Sequence, residues 1–388
     1  MAVVVTKPAL NVRSELADLR KPTGIAGEAM LAADTIIQQA ALLGVAPNNI
    51  IKNGAMAVYQ RGAGTIVSDG SAPAEEAFGP DRFKLYSTEA YTVLDATIRQ
   101  TADGPEEFST CSEVEIDTLE AVAAATDLLM LMYNFEGLDL QGLGWGTSAG
   151  KPLTLQFWVK SNTPGTYALS AYMPEGGGDI VTFTYTINQS AVWQKVVWVI
   201  PPNTAAVPAN DNTASLVIRF VLAAGTTYKG GTPQPNWGAN ANNLHAAEQL
   251  VDLGAVDASY FRMTGVQATI GAFPEGVPFQ HRSYSDELAA CERYYQSTYK
   301  LGTNTGETEA SWGDGNVTGP QFSTEMRAAP AVTLYTHDDA DAGYVDSGGT
   351  NRAAVAQQIS AKGVRYLSLT SGTANTWVAY RYIANAEL

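Results

Sequence analysis

The stretch Gly144-Trp145-Gly146-Thr147-Ser148-Ala149-Gly150-Lys151-Pro152 holds two chemical patterns at once. Its Gly-Thr-Ser-Ala-Gly centre fits the G-x-S-x-G of a nucleophile elbow, where a serine hydroxyl is exposed on a sharp strand-to-helix turn. Its closing Gly-Lys resembles the end of a phosphate-binding loop. The context of each is missing. A strand-like run, not a helix, follows Pro152. A phosphate loop would need Gly where Trp145 stands, and Ser or Thr where Pro152 stands. The stretch reads as a glycine-rich turn.

Carboxylates are the next candidates. Glu106-Glu107, the alternating Glu113, Glu115 and Asp117, and Asp338-Asp339 with Asp341 could each supply half of a glycosidase acid/base pair. Alternation at 113, 115 and 117 puts three acids on one strand face, the pattern of a solvated surface. The run from Asp338 to Gly343 misses the calcium-loop spacing and is expected to be a surface turn. Two cysteines, Cys111 and Cys291, and three scattered histidines, His245, His281 and His337, make neither a disulfide framework nor a zinc site. No catalytic residue, metal or cofactor is expected.

Aromatic residues offer a different chemistry. Among seven Trp and eighteen Tyr, Trp145, Trp158 and Trp237 fall in turns or at outward strand positions. A flat indole with a polar edge suits the face of a sugar ring, so these three are the expected ligand contacts.

The elements that must position them are mostly strands. Charged residues make up only 16% of the 388-residue chain, and Gly, Ala, Thr, Ser and Asn take their place, as in turn-rich β proteins. From Asn48 the periodicity moves towards two. Leu153–Lys160, Val181–Ile187, Val192–Ile200, Leu216–Leu222 and Tyr260–Ile270 read as strands, separated by Gly, Pro and Asn clusters. Without alternating helices, they predict a β-sandwich. Ser283 to Lys300 is expected to be a helix, with Tyr284, Leu288, Cys291, Tyr295 and Tyr299 on one face. Further strands over Gln321–Tyr335, Ala353–Ser360, Val364–Thr370 and Thr376–Ile383 predict a smaller β unit. A helical spacing from Gly24 to Leu43 marks the N-terminal segment. The expected organisation is an N-terminal helical segment at 1–47, a β-sandwich at 48–280, a linking helix at 281–301 and a C-terminal β domain at 302–388.

Net charge narrows the partners. A formal charge of −16 argues against nucleic acid, which needs clustered Lys and Arg, and against a polybasic membrane contact. The N-terminus has no basic, apolar signal pattern, and no apolar run is long enough to span a bilayer. Synthesis in a cytoplasm without membrane insertion is expected.

Several phrases, in order, resemble segments of tailed-bacteriophage tail fibres and related virion appendage proteins. They are Asn11 to Leu16, Ile50 to Met56 with Gln60-Arg61-Gly62, Asp81-Arg82-Phe83, Leu155 to Ser161, and Phe273 to Phe279 with His281 to Tyr284. Cys291 to Gln296, Glu325 to Pro330 and Ala384 to Leu388 complete the set. The resemblance spans nearly the whole chain. It implies a central jelly roll similar to carbohydrate-binding modules, a homotrimer, and attachment to other virion tail or capsid proteins through residues 1–47. Contact with a host cell-surface glycan and location in the virion follow from it too, without enzymatic activity. The chain is short for a long fibre, so a head fibre or capsid decoration protein, and a glycan-degrading tailspike, remain the alternatives.

Overall fold

The computed structural model describes residues 48–68, 74–88, 91–122, 124–298, 309–313, 316–336, 342–370 and 376–388. The segment 1–47, with its expected helix, and the acidic turn at 338–341 lie outside the described residues. The fold is mainly β. Among the described residues, thirteen strands come first: β1 (Gly64–Val67), β2 (Glu75–Phe78), β3 (Phe83–Ser87), β4 (Asp95–Thr101), β5 (Cys111–Thr118), β6 (Leu128–Glu136) and β7 (Leu153–Ser161), then β8 (Gly165–Met173), β9 (Asp179–Ile187), β10 (Gln194–Ile200), β11 (Ala214–Ala224), β12 (Gly238–Ala239) and β13 (Tyr260–Ile270). They form two antiparallel sheets, a six-stranded one ordered β1-β4-β5-β13-β7-β10 and a seven-stranded one ordered β12-β9-β8-β11-β6-β3-β2.

Alternation explains the layering. On β7, Leu153, Leu155, Phe157 and Val159 are buried in the shared core, while Thr154, Gln156, Trp158 and Lys160 take the other face. The Phe157 ring meets Phe220 edge-on at 5.1 Å and Tyr185 at 5.5 Å. Truncating such a ring costs about 3–5 kcal/mol, because the cavity adds to the lost transfer energy. Strand β6 is apolar on both faces: Leu129, Leu131, Tyr133 and Phe135 enter the core. Leu128 and Met130 pack outward with Ala168, Val221, Ala224 and Ala246. Burial of both faces erases the period-two signal, which is why no strand was expected there by name.

The eight later strands are β14 (Tyr295–Ser297), β15 (Glu309–Gly313), β16 (Asn316–Thr318), β17 (Ala331–Tyr335), β18 (Tyr344–Ser347), β19 (Thr350–Ser360), β20 (Gly363–Leu369) and β21 (Thr376–Asn385). They form a third sheet organised by β21, which pairs with β14, β15, β17 and β18. Two expectations need correction. The helix starts where Ser283 caps it, its Oγ accepting from Asp286 N at 3.2 Å, but runs only from Tyr284 to Glu292. Tyr295 lies in β14, and Tyr284 is 60% exposed instead of belonging to a buried stripe. Pairing of Tyr295–Ser297 with Asn385–Ile383 outweighs helical continuation. Likewise, of the stretch 321–335 only Ala331–Tyr335 is a strand.

The joint between the sandwich and the third sheet is polar and buried. Glu387, near the C-terminus, pairs with Arg61 at 2.8 Å and with Arg82. Arg61 lies 4.0 Å over the Tyr295 ring, and Arg82 lies 3.4 Å over Tyr294. Arg293 donates to both Glu136 oxygens, at 2.8 and 2.7 Å. Arg327 donates to the carbonyls of Ala386, Glu387 and Asn212 at 2.6–2.9 Å. Asn53 turns the chain beside them with φ +60°, donating to Val58 O and Asp81 O. Many phrases behind the appendage resemblance therefore converge on this joint.

Candidate binding cleft

The outer face of the six-stranded sheet is where strand geometry puts polar and aromatic groups together. Trp158 of β7 stands opposite Lys195 of β10 and Thr264 of β13. A bulge lies between Thr264 and Gln267, and Gly265 turns it with φ +62°. A Cβ at Gly265 would come within 2.7 Å of the Phe108 ring and 2.9 Å of Trp158. Glycine at this position is thus what allows the two aromatics to converge.

The segment after β13 folds back over this face. Gln156 fixes it with both ends of its amide: Nε2 donates to Val277 O at 2.8 Å, and Oε1 accepts from Val277 N at 2.7 Å. Thr154 Oγ1 donates to Gly271 O and accepts from Phe273 N, and Gln267 Oε1 accepts from Gln280 N. At Gly276, φ is +74°, and a Cβ would sit 2.6 Å from Gln156 Oε1 and 2.8 Å from Lys195 Nζ. The result is a cleft of about 300 Å3 with Trp158, Phe108 and Phe279 as its aromatic lining and Lys195, Glu107 and Glu275 as its charges. Phe108 and Phe279 meet edge-on at 4.9 Å and separate it from a smaller hollow of about 180 Å3 near His281 and Arg282. Glu107 lines both. Partial burial lowers the Lys195 pKa against the opposing charge of Glu107.

Next to the cleft, carboxylates and cations are already engaged. Lys160 pairs with Asp103 at 2.5 Å, Arg99 with Glu113 at 2.6 Å, and Arg262 bridges Asp103 and Glu113. Arg99 also reaches Glu115. Burial raises the Asp103 pKa, but Lys160 and Arg262 outweigh it and the net shift is downward. Glu113, expected on a solvated face, is 2% exposed and ion-paired on both sides. Asp117 is exposed, as expected, and accepts from Thr97 Oγ1 at 2.5 Å.

Of the three expected ligand contacts, the structure brings one into this cleft, while Trp237 is half-buried elsewhere. Trp158 keeps part of its surface free on the cleft floor. Trp145 is 2% exposed and belongs to the core, its Nε1 donating to Lys151 O at 2.7 Å. Trp237 packs against the same core, 5.4 Å edge-on from Trp145, and its Nε1 donates to Pro201 O. Turn residues can still be buried when the turn closes the end of a sandwich. Ser148 is exposed in a tight turn at Gly144–Gly150, and β7 follows it, so no elbow forms. Lys195, Glu275 and Gln156 were not anticipated. Their signal would have been the cross-strand pairing of β7 with β10, which is not a local property of either strand.

Protein-family models give no match to this chain, and no curated protein matches it. Solved structures give distant likenesses. The enzymatically active domain of bacteriophage CBA120 tailspike protein 4 is 12% identical with a TM-score of 0.29, over 57% of this chain and 21% of that one. This chain thus matches about a fifth of that domain's length. The family 11 carbohydrate-binding module of a Clostridium thermocellum cellulosomal cellulase is 14% identical, with a TM-score of 0.26, over 52% of this chain and 97% of that one. The N-terminal cellulose-binding domain of Cellulomonas fimi β-1,4-glucanase C is 15% identical, with a TM-score of 0.24, over 45% and 88%.

Proposed function

We propose that the sandwich is a carbohydrate-binding domain whose site is the cleft on the six-stranded sheet. One observation carries the reading: Trp158 lies partly open on the floor of a polar cleft, beside Lys195, Glu107 and Glu275. The C–H face of a sugar ring packs on the indole, and its hydroxyls donate to the carboxylates and accept from the ammonium. The test is binding of the full chain to envelope polysaccharide, with Trp158→Ala as the variant. Trp158 faces away from the core, so the variant should fold. Affinity should fall about tenfold, the equivalent of one aromatic platform. Unchanged binding would remove this cleft from consideration.

In the wider reading, this domain belongs to a tailed-phage virion appendage, a homotrimeric tail fibre without enzymatic activity that attaches through residues 1–47. The ordered phrases from Asn11 to Leu388 support it. Three copies would raise avidity by about 10²–10⁴ where geometry permits simultaneous contact. Light scattering on the full chain tests this: a mass of one chain would refute the trimer. That monomeric mass would favour a decoration protein or a single carbohydrate-binding module. A second reading, a glycan-degrading tailspike, is favoured by Glu107 and Glu275 lining the same cleft. Release of reducing sugar that disappears in Glu107→Gln or Glu275→Gln would establish it.

A further inference from the structure

The opposite outer face, that of the seven-stranded sheet, holds an arginine whose chemistry is incomplete. Arg219 lies on the central strand β11, in register with Met132 of β6 and Ser170 of β8. Its neighbours Ile218 and Phe220 enter the core, so Arg219 faces away from it. The guanidinium carbon sits 4.4 Å over the Tyr172 ring. Its Nε and Nη1 are enclosed yet have no hydrogen-bond partner among the described residues, and the enclosed Ser170 Oγ beside it has none either.

Enclosed nitrogens without a partner also occur at Arg61 and Arg82, but those arginines, like others of the sandwich, have a carboxylate. Arg61 and Arg82 share Glu387, Arg99 and Arg262 share Glu113, and Arg282 has Glu287. In a chain with 39 acidic and 23 basic residues, Arg219 is left without a carboxylate among the described residues. A desolvated guanidinium is stable only when an acceptor completes it. Burial lowers its pKa to about 10, opposed by the Tyr172 and Tyr86 phenols, so it stays charged at neutral pH. His245, stacked on Tyr228 at 5.7 Å, is pushed down to about 4 by burial and by the charge of Arg219. It is therefore neutral at pH 7 and brings no competing charge. Tyr86, Met132 and Tyr228 supply a partly open apolar surround.

We infer that this face is a second ligand site, independent of the Trp158 cleft, which takes a uronic-acid sugar whose carboxylate pairs with Arg219. With Nε and Nη1 enclosed, the carboxylate reaches the half-exposed side chain through Nη2, and the surrounding rings match the apolar faces of the pyranose. Because the chain carries −16 overall, long-range electrostatics oppose an anionic ligand, and recognition has to come from this local cation.

The test is calorimetric titration of the full chain with a galacturonate tetrasaccharide and with a neutral tetrasaccharide, at low salt. The variants are Arg219→Met, Arg219→Lys and Trp158→Ala, each checked for folding by thermal melting. Arg219→Met should weaken the acidic ligand by about 10- to 100-fold, the range of a charge-assisted pair. Arg219→Lys should recover only part of that, because an ammonium cannot stack on the Tyr172 ring as the planar guanidinium does and so holds its charge elsewhere. In a Trp158→Ala background, Arg219→Met should weaken the acidic ligand by the same factor, as expected of independent sites. The proposal is overturned if the tetragalacturonate fails to bind at millimolar concentration, or if it binds Arg219→Met as well as the parent. It is equally overturned if glucose 6-phosphate binds and the uronate does not, which would assign the face to phosphate. If Arg219→Met fails to fold, equal binding of the uronate to Arg219→Lys and the parent overturns it. Loss in Trp158→Ala of neutral binding alone would leave this site standing, and the reverse loss would leave the Trp158 cleft standing.

Discussion

Replacing Glu387 by glutamine would remove one negative charge from a cluster that contains two buried cations. The Glu387 side chain is 6% exposed, and its partners Arg61 and Arg82 are 9% and 2% exposed. Arg82 retains the Asn134 carbonyl at 2.7 Å and the Tyr294 ring, and Arg61 retains the rings of Phe78 and Tyr295. None of these replaces a carboxylate. Breaking a buried pair from one side costs about 3–5 kcal/mol, because the remaining charge is left uncompensated. Glutamine keeps the shape and one acceptor oxygen, so the loss should lie near the lower end, about 3 kcal/mol. Against a domain stability of about 5–15 kcal/mol, that is a large fraction. Urea unfolding of parent and Glu387→Gln measures it, and Arg82→Met combined with Glu387→Met should recover part of the loss. The pH dependence has a definite sign. Burial raises the Glu387 pKa, but Arg82 and Arg61 outweigh it and the net shift is downward. The stabilisation is therefore complete above the unfolded value of about 4.3 and disappears as pH falls through the lower folded value. Glu387→Gln should lack that acid limb. A loss below about 1 kcal/mol, the size of an exposed ion pair, would refute the assignment of this cluster as the fastening of the joint.

Three other perturbations test separate parts of the structure. Gly265→Ala should cost about 1–3 kcal/mol and weaken glycan binding together, since φ is +62° and the new Cβ would press Phe108 into Trp158; a fully stable variant with intact binding would contradict the bulge geometry. Both thiols should resist a neutral-pH thiol reagent in the native state, because burial pushes Cys111 up to about 12 and raises Cys291 well above the ordinary thiol value. Rapid labelling without denaturant would mean that the sandwich or the joint opens. Ser148→Ala should change melting by no more than about 0.5 kcal/mol and leave any ester-hydrolysing activity unaltered, as expected of an exposed turn residue.

The outward position of Trp158 was legible in the sequence because Leu153–Lys160 alternates, and period two is a local property of a strand. The turn at Gly144–Gly150 and the start of the helix near Ser283 were legible too. Alternation could not identify β6, whose Leu128–Glu136 run is buried on both sides, and it could not stop the helix at Glu292. Nor could it place Trp145, which lies between Gly144 and Gly146 in a turn without period, in the core. Those distinctions depend on which segments meet. Lys195 reaches Trp158 only through the β7–β10 register, Glu275 only because Gln156 holds the returning segment, and Glu387 joins Arg61 and Arg82 from the far end of the chain. Arg219 shows the limit most plainly. Its outward direction follows from its neighbours in sequence, but its lack of a carboxylate follows from what the tertiary structure brings near. Side-chain direction is set residue by residue along a strand, whereas burial and charge pairing are set by contacts between segments far apart in the chain.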